Sequence, residues 1–231
     1  SFEEHRHPFI FMNAVGMQSD VETLLHESGH AFHAFAARDE PLIWYRNPGM
    51  EMCEVASMSM ELLAMEHLDV FHGPQEAARA RREQLEGIIR TFPWVATIDA
   101  FQHWVYTHPD HTRGERTNAW LSLLDRFGGI EDYTGHDAAR EAMWHRQLHL
   151  FDCPFYYIEY AIAQTGALQL WRNAGKDRRQ ALSQYRHALS LGGSRPLPEL
   201  WAAAGLRFDF SEATLQPLIE AVQAELDKLP D

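Results

Sequence analysis

HESGHAFHAF, residues 26–35, sets three histidines and a glutamate within ten residues. On a helix, His26 and His30 stand four apart, one turn above the other on a single face, so two imidazoles can reach one metal ion. Glu27 directly follows the first of them and stands beside such an ion rather than on it. This is the HExxH arrangement, in which two histidines bind zinc and the glutamate is general base for a zinc-bound water. His33 shares the stripe but is seven residues from His26, about 10 Å along the axis, too far for a second set of Zn–N bonds of about 2.0 Å. A third ligand has to come from elsewhere in the chain.

The flanking residues read as a helix. Ser19 and Glu22 have capping-box spacing, and Val21, Leu24, Leu25, Ala31, Phe32 and Phe35 supply apolar periodicity. A break is expected near Asp39–Pro41. The motif then sits mid-helix on an apolar backing. A metzincin would need glycine and histidine where this chain has His33 and Ala36, which removes that class. A gluzincin takes its third ligand from a glutamate on a later helix. EMCEVASMSMELLAMEHL, residues 51–68, reads as that helix, with Val55, Met58, Leu62 and Met65 as its apolar stripe. Glu54 and Glu61 lie seven apart on one of its faces, and 23 residues separate His30 from Glu54, room for a loop and a return.

HESGHAFH followed after this gap by EVASMSMELL resembles the oligopeptidase family that includes thimet oligopeptidase, oligoendopeptidase F and the Pz-peptidases. Its pattern is HExGHxxH, then Glu-x-x-Ser with a further glutamate. The resemblance implies Glu54 as third zinc ligand, with Glu61 as a supporting residue that bonds a zinc-ligating imidazole. Two further blocks, FPWVATIDAFQHWVYTHPDHT (residues 92–112) and WHRQLHLFDCPFYYIEYAIAQTGALQLW (residues 144–171), resemble the Pz-peptidase branch. The likeness therefore runs across most of the chain. In the family, a histidine and tyrosines after it donate hydrogen bonds to the substrate and to the developing oxyanion. By position these are His149, Tyr157 and Tyr160, with Tyr156 adjacent as an alternative; Tyr157 and Tyr160 are three apart and so expected on one helical face. The implied fold class is mainly α, a zincin-like catalytic domain of a helical oligopeptidase. The implied activity is that of a zinc metallopeptidase, an oligoendopeptidase of gluzincin type with one Zn2+ per chain and short peptides as substrates.

Composition fits that expectation. The 231 residues suffice for a single catalytic domain spanning 1–231. No apolar run approaches the ~20 residues of a membrane span. The net charge of −13, from 33 acidic and 20 basic residues, argues against nucleic acid or an anionic membrane surface as partner. Cys53 and Cys153 build no disulfide framework, and with no signal-peptide pattern the expected location is cytoplasmic. Further helices are expected over 74–106, 115–126, 136–149, 154–172, 177–190, 197–204 and 211–228, punctuated by Gly128–Gly129 and Gly192–Gly193. The one strand expected is PFIFMN, residues 8–13, an edge strand just before the active-site helix to which an extended peptide could add. His145 and His149 repeat the four-residue spacing, and His103, His108 and His111 surround a Pro–Asp turn. Without a glutamate after His145, neither group reads as a second zinc site.

Members of the family are longer, with a helical region ahead of that strand that walls a channel admitting short peptides. This chain begins at Ser1 and reaches the strand almost at once. The expectation is a C-terminal catalytic portion whose partners, besides short peptides, are a missing N-terminal half or, through exposed apolar surface, a second copy of itself. The alternative is a catalytically impaired zinc-binding helical fragment that acts as a partner or scaffold module; the intact Glu27 speaks against it.

Overall fold

The computed structural model describes residues 5–128 and 131–230; Ser1 and Gly129, which entered the expectations above, lie outside them. Among the described residues eleven α-helices follow one another. They are α1 (Gln18–Ala37), α2 (Ile43–Arg46), α3 (Met50–Ala64), α4 (Pro74–Thr107), α5 (Arg113–Phe127), α6 (Asp137–Ala142), α7 (His149–Asp152), α8 (Ile158–Lys176), α9 (Arg178–Ser190), α10 (Leu197–Ala203) and α11 (Glu212–Leu226). Short 3-10 turns occupy Met65–Val70 and Met143–Arg146. The mainly α class is as expected. The chain divides into two compact units, one running to Leu85 and resuming at Ile162, the other Glu86–Ala161. No helix is long and apolar enough to cross a membrane among the described residues.

In the first unit α3 buries eight of its fifteen residues. Met52, Val55 and Ala56 are fully enclosed and pack with Ala163 and Leu170 of α8, Tyr185 and Leu189 of α9 and Trp201 of α10. Each such large side chain removed from water contributes about 1.5–3 kcal/mol. The Tyr185 hydroxyl, itself buried, donates to the Ala56 carbonyl at 2.7 Å and ties α9 to the middle of α3.

The packing of α1 differs from the expected apolar backing. Its buried residues are Gly29, His33 and Ala37, whereas Leu24, Phe32 and Phe35 are exposed, Phe32 by 54%. The reason is steric. A Cβ on Gly29 would lie 2.5 Å from Ser57 Cα and 2.7 Å from the Ala56 carbonyl oxygen. The two backbones touch, which only glycine permits, and the small-residue face of α1 is the one that fits against α3.

In the second unit Ile98 and Phe101 of α4 enclose Trp120 and Leu124 of α5. Phe101 meets Trp120 at 5.1 Å between ring centres and 70°, and Trp94 meets it at 6.0 Å and 88°, the tilted arrangements that the ring quadrupole favours. Pro93 removes one N–H donor from α4. The helix continues through it, and the Thr97 hydroxyl donates to the Pro93 carbonyl at 2.8 Å.

Four local expectations are corrected. Residues 8–13 form no strand: Phe9 and Phe11 are exposed, by 59% and 90%, and among the described residues no strand offers the ladder of backbone bonds that would hold them as one. The start of α1 is not closed by Ser19 and Glu22. Instead the Asp20 carboxylate accepts from the amides of Val15, Gly16 and Met17 at 2.7–2.9 Å, and these bonds, Met17's foremost, hold its pKa below the usual carboxylate range. The helix expected over 136–149 is broken into α6, a 3-10 turn and α7. The helix expected from 154 begins at Ile158, because Pro154 cannot donate to a preceding turn and Phe155 takes the left-handed φ of 64°.

Candidate functional site

The close approach at Gly29 sets His26 and His30 of α1 opposite Glu54 of α3. His26 Nε2 lies 3.4 Å from Glu54 Oε2, and His30 Nε2 lies 3.9 Å from the same oxygen. One ligand atom from each of the three residues falls within 4.8 Å of the others. Ligands about 2.0–2.1 Å from a tetrahedral zinc ion stand about 3.4 Å apart, so the spacing suits a single small cation. The surroundings suit it too. Glu54 is 5% exposed, and a carboxylate out of water requires donors or a cation. The Ser57 hydroxyl supplies one donor at 3.0 Å; the two imidazoles are the other near groups.

His26 is held on its far side. Its Nδ1 is 2.6 Å from Glu61 Oε1, one helical stretch beyond Glu54 on α3. A carboxylate there keeps the proton on Nδ1 and leaves the Nε2 lone pair for a metal. Burial pulls the His26 pKa down, but the Glu61 hydrogen bond and the charges of Glu61, Glu54 and Glu27 outweigh it, and the net displacement is upward. His30 is displaced downward, burial prevailing over the attraction of Glu54. The two rings meet edge to face, 4.9 Å apart at 83°.

Glu27 lines a cleft of about 320 Å³ together with His30. The same cleft is bordered by Pro8, Phe9 and Ile10, so the segment that fails to form a strand still runs beside it. Cys53 also faces the cleft, its Sγ 3.7 Å from the Pro48 carbonyl oxygen, while Cys153 is exposed. His33 behaves differently from its neighbours on the stripe. It is 3% exposed, its Nε2 has no hydrogen-bond partner, and burial, then the nearby His30, pulls its pKa down to about 4.

His149, Tyr157 and Tyr160 come together in the second unit. Tyr157 stands just before α8 and Tyr160 in its first turn, rather than both on one helical face. The Trp94 indole N–H donates to Gln147 Oε1 at 3.1 Å, which fixes the amide. Its Nε2 therefore donates to His149 Nδ1, 2.7 Å away, so neutral His149 carries its proton on Nε2, 3.3 Å from the Tyr160 hydroxyl. The His149 ring lies 5.0 Å from that of Tyr157, 5.6 Å from Tyr160 and 5.5 Å from Tyr156, which stacks on it at 17°. Burial raises the Tyr157 pKa, keeping its hydroxyl a donor at neutral pH. Gln147 and Trp94 are the members of this group that residue reasoning missed. Neither has a motif, and only the hydrogen-bond chain exposes their part.

The sequence model of peptidase family M3 matches residues 3–219. Oligopeptidase PepF of Bacillus subtilis is 24% identical over 229 residues, covering 97% of this chain and 34% of that protein. An oligoendopeptidase F homolog of Borreliella burgdorferi is 24% identical over 201 residues, covering 84% of this chain and 33% of that protein. Among solved structures, Pz peptidase A with inhibitor 2 superposes with a TM-score of 0.91 at 32% identity, over 98% of this chain and 40% of that one. The chain thus spans about a third of the length of the curated relatives it matches.

Proposed function

Because the chain belongs to peptidase family M3, we propose that it carries the metal centre and general base of a zinc-dependent oligoendopeptidase acting on short peptides. His26, His30 and Glu54 hold one zinc ion. The observation that carries this reading is their convergence, three ligand atoms within 4.8 Å around a buried carboxylate. Zinc, when bound, supplies a Lewis acid that polarises a carbonyl and makes water nucleophilic near neutral pH. Glu61 orients His26 through the 2.6 Å bond to Nδ1, and Ser57 orients Glu54.

Glu27 is the general base. Its carboxylate takes a proton from the attacking water and passes it to the leaving amine, so one group serves both halves of the reaction. The neighbouring cleft, bordered by Glu27 and His30, receives the peptide. His149, Tyr157 and Tyr160 are proposed as donors to the substrate and to the oxyanion. The family resemblance supports this, as does the fixed chain from Trp94 through Gln147, which directs the His149 N–H.

The test uses the purified chain with a quenched fluorescent peptide. Metal analysis after reconstitution should give one zinc per chain, and cleavage should stop on chelation and return with zinc. Absence of zinc from the reconstituted protein, or full retention of zinc by a His26→Ala/His30→Ala double variant, would remove the reading.

A further inference from the structure

The turn that separates α7 from α8 carries a side chain that its backbone does not favour. The Tyr156 amide donates to the Cys153 carbonyl at 3.2 Å across Pro154 and Phe155, and Phe155 has a φ of 64°. Proline in the second place and a positive φ in the third are marks of a type II turn, whose third place calls for glycine or asparagine. A bulky residue there is strained, and strain of this kind gathers at functional sites. Burial does not offset it, because Phe155 is 37% exposed. Its ring lies against two others from α4, 5.0 Å from Tyr106 at 58° and 5.0 Å from His103 at 56°. Tyr106 is 56% exposed. His103 is also exposed, its Nε2 3.5 Å from Asp99 Oδ2. Three rings thus meet at the surface of the second unit, where gathering them removes little apolar area from water.

From this strained, half-exposed cluster we infer that Phe155, with Tyr106 and His103, is a platform that selects an aromatic or large apolar side chain of the bound peptide. The inference rests on the peptidase reading and deepens it. Position in the chain ties the platform to the proposed donors. Tyr156, the next residue, stacks on His149 at 17° with ring centres 5.5 Å apart. Consecutive Cα atoms are about 3.8 Å apart, and an extended peptide advances about 3.3–3.6 Å per residue. A peptide held at the His149 cluster therefore brings a neighbouring side chain to the platform. The tilt between the three rings leaves faces and edges that a further ring can join in the offset or edge-to-face arrangements favoured by the quadrupole. Glycine at position 155 would close the same turn without strain. What phenylalanine adds is the contact surface.

The experiment measures selection separately from cleavage. A single phenylalanine is moved, position by position, through a peptide otherwise made of alanine, glycine and serine, and products are identified by mass spectrometry. The unsubstituted chain should favour one placement over the phenylalanine-free peptide by about 10- to 100-fold in kcat/KM. Phe155→Gly should bring that ratio close to one, and Tyr106→Ala should lower it. Thermal unfolding then tells a strained reader of substrate from a packing residue. Phe155→Gly and Phe155→Ala both lose the ring, but glycine alone accepts the turn freely, so the glycine variant should melt about 2–4 °C above the alanine variant. Selectivity that survives Phe155→Gly, or an alanine variant as stable as the glycine one, overturns the inference. Binding of the same peptides, dye-labelled, to the full chain carrying Glu27→Gln is followed by fluorescence anisotropy. Cleavage without selectivity removes the platform and leaves the peptidase reading standing, whereas selective binding without any cleavage does the reverse. Where no peptide is cleaved, equal or unmeasurable binding of all of them overturns the platform too.

Discussion

The His26–His30–Glu54 cluster and the His149–tyrosine cluster are both built from imidazoles and their hydrogen-bond partners, but the backbone delivers them differently. In the first, two regular helices place the groups. A four-residue interval aligns His26 with His30, a seven-residue interval aligns Glu54 with Glu61, and one glycine lets α1 and α3 meet. In the second, a proline and a left-handed phenylalanine stop one helix and start another, and the aromatic rings gather around the break. Spacing in sequence therefore specifies contacts in the first cluster, while in the second they depend on a few backbone dihedrals that spacing does not encode.

The sharpest way to separate the roles is Glu27→Gln. The amide keeps the shape but cannot take a proton, so turnover should fall by about 10²–10⁴ while metal analysis still gives the zinc content of the parent chain. Loss of the metal together with activity would move Glu27 from base to ligand. Next in size, Tyr160→Phe should lower kcat by about 10²–10³, the usual cost of one oxyanion donor, with KM and zinc content little changed. Turnover close to that of the parent chain would leave the tyrosine a packing residue and would break the parallel between the two clusters.

Glu61→Gln tests the first cluster from its far side. The variant should bind zinc about 10- to 100-fold more weakly, read by competition with a chromophoric chelator. Unaltered affinity would mean that the 2.6 Å bond to His26 orients nothing. The smallest effect concerns His33, whose folded-state pKa of about 4 lies below the ordinary 6.5 because it is buried. Between those values the unfolded chain takes up a proton that the folded chain refuses. Stability is therefore complete above about pH 6.5 and declines as the pH falls towards 4, by about 2 kcal/mol between pH 7 and pH 5. Urea unfolding at both pH values, with chelator present, should show that loss reduced by a similar amount in His33→Gln. An equal loss in the variant would place the pH sensitivity in other groups.

These contrasts explain what could be read from the sequence. The motif residues and the helices carrying them were legible because helical periodicity ties position to direction, and Glu54 followed from its place in the Glu-x-x-Ser pattern. The buried face of α1 does not follow from apolar periodicity, which marks the residues that dislike water, because Gly29 decides which face can approach a neighbour. PFIFMN has the composition of a strand, but composition cannot supply a partner. Tyr157 lies one residue before the start of α8 rather than inside the helix expected over 154–172, since the φ of Phe155 has no signature in residue type. The cap on α1 shifted for a related reason: Ser19 and Glu22 have the right spacing, but Asp20 reaches three amides at once.

The contact at Gly29 has a bearing on affinity as well as on geometry. Two of the groups that converge on Glu54 ride on α1, and the nearest backbone of α3 lies within van der Waals reach of that glycine. If the three groups hold an ion as proposed, its affinity depends on how closely the two helices approach, because the ligand atoms are 3.4 and 3.9 Å apart across that contact. The glycine is then a spacer for the metal centre as well as for the core. A side chain grafted onto position 29 should weaken zinc binding and speed hydrogen–deuterium exchange of the amides around Ala56 and Ser57 together.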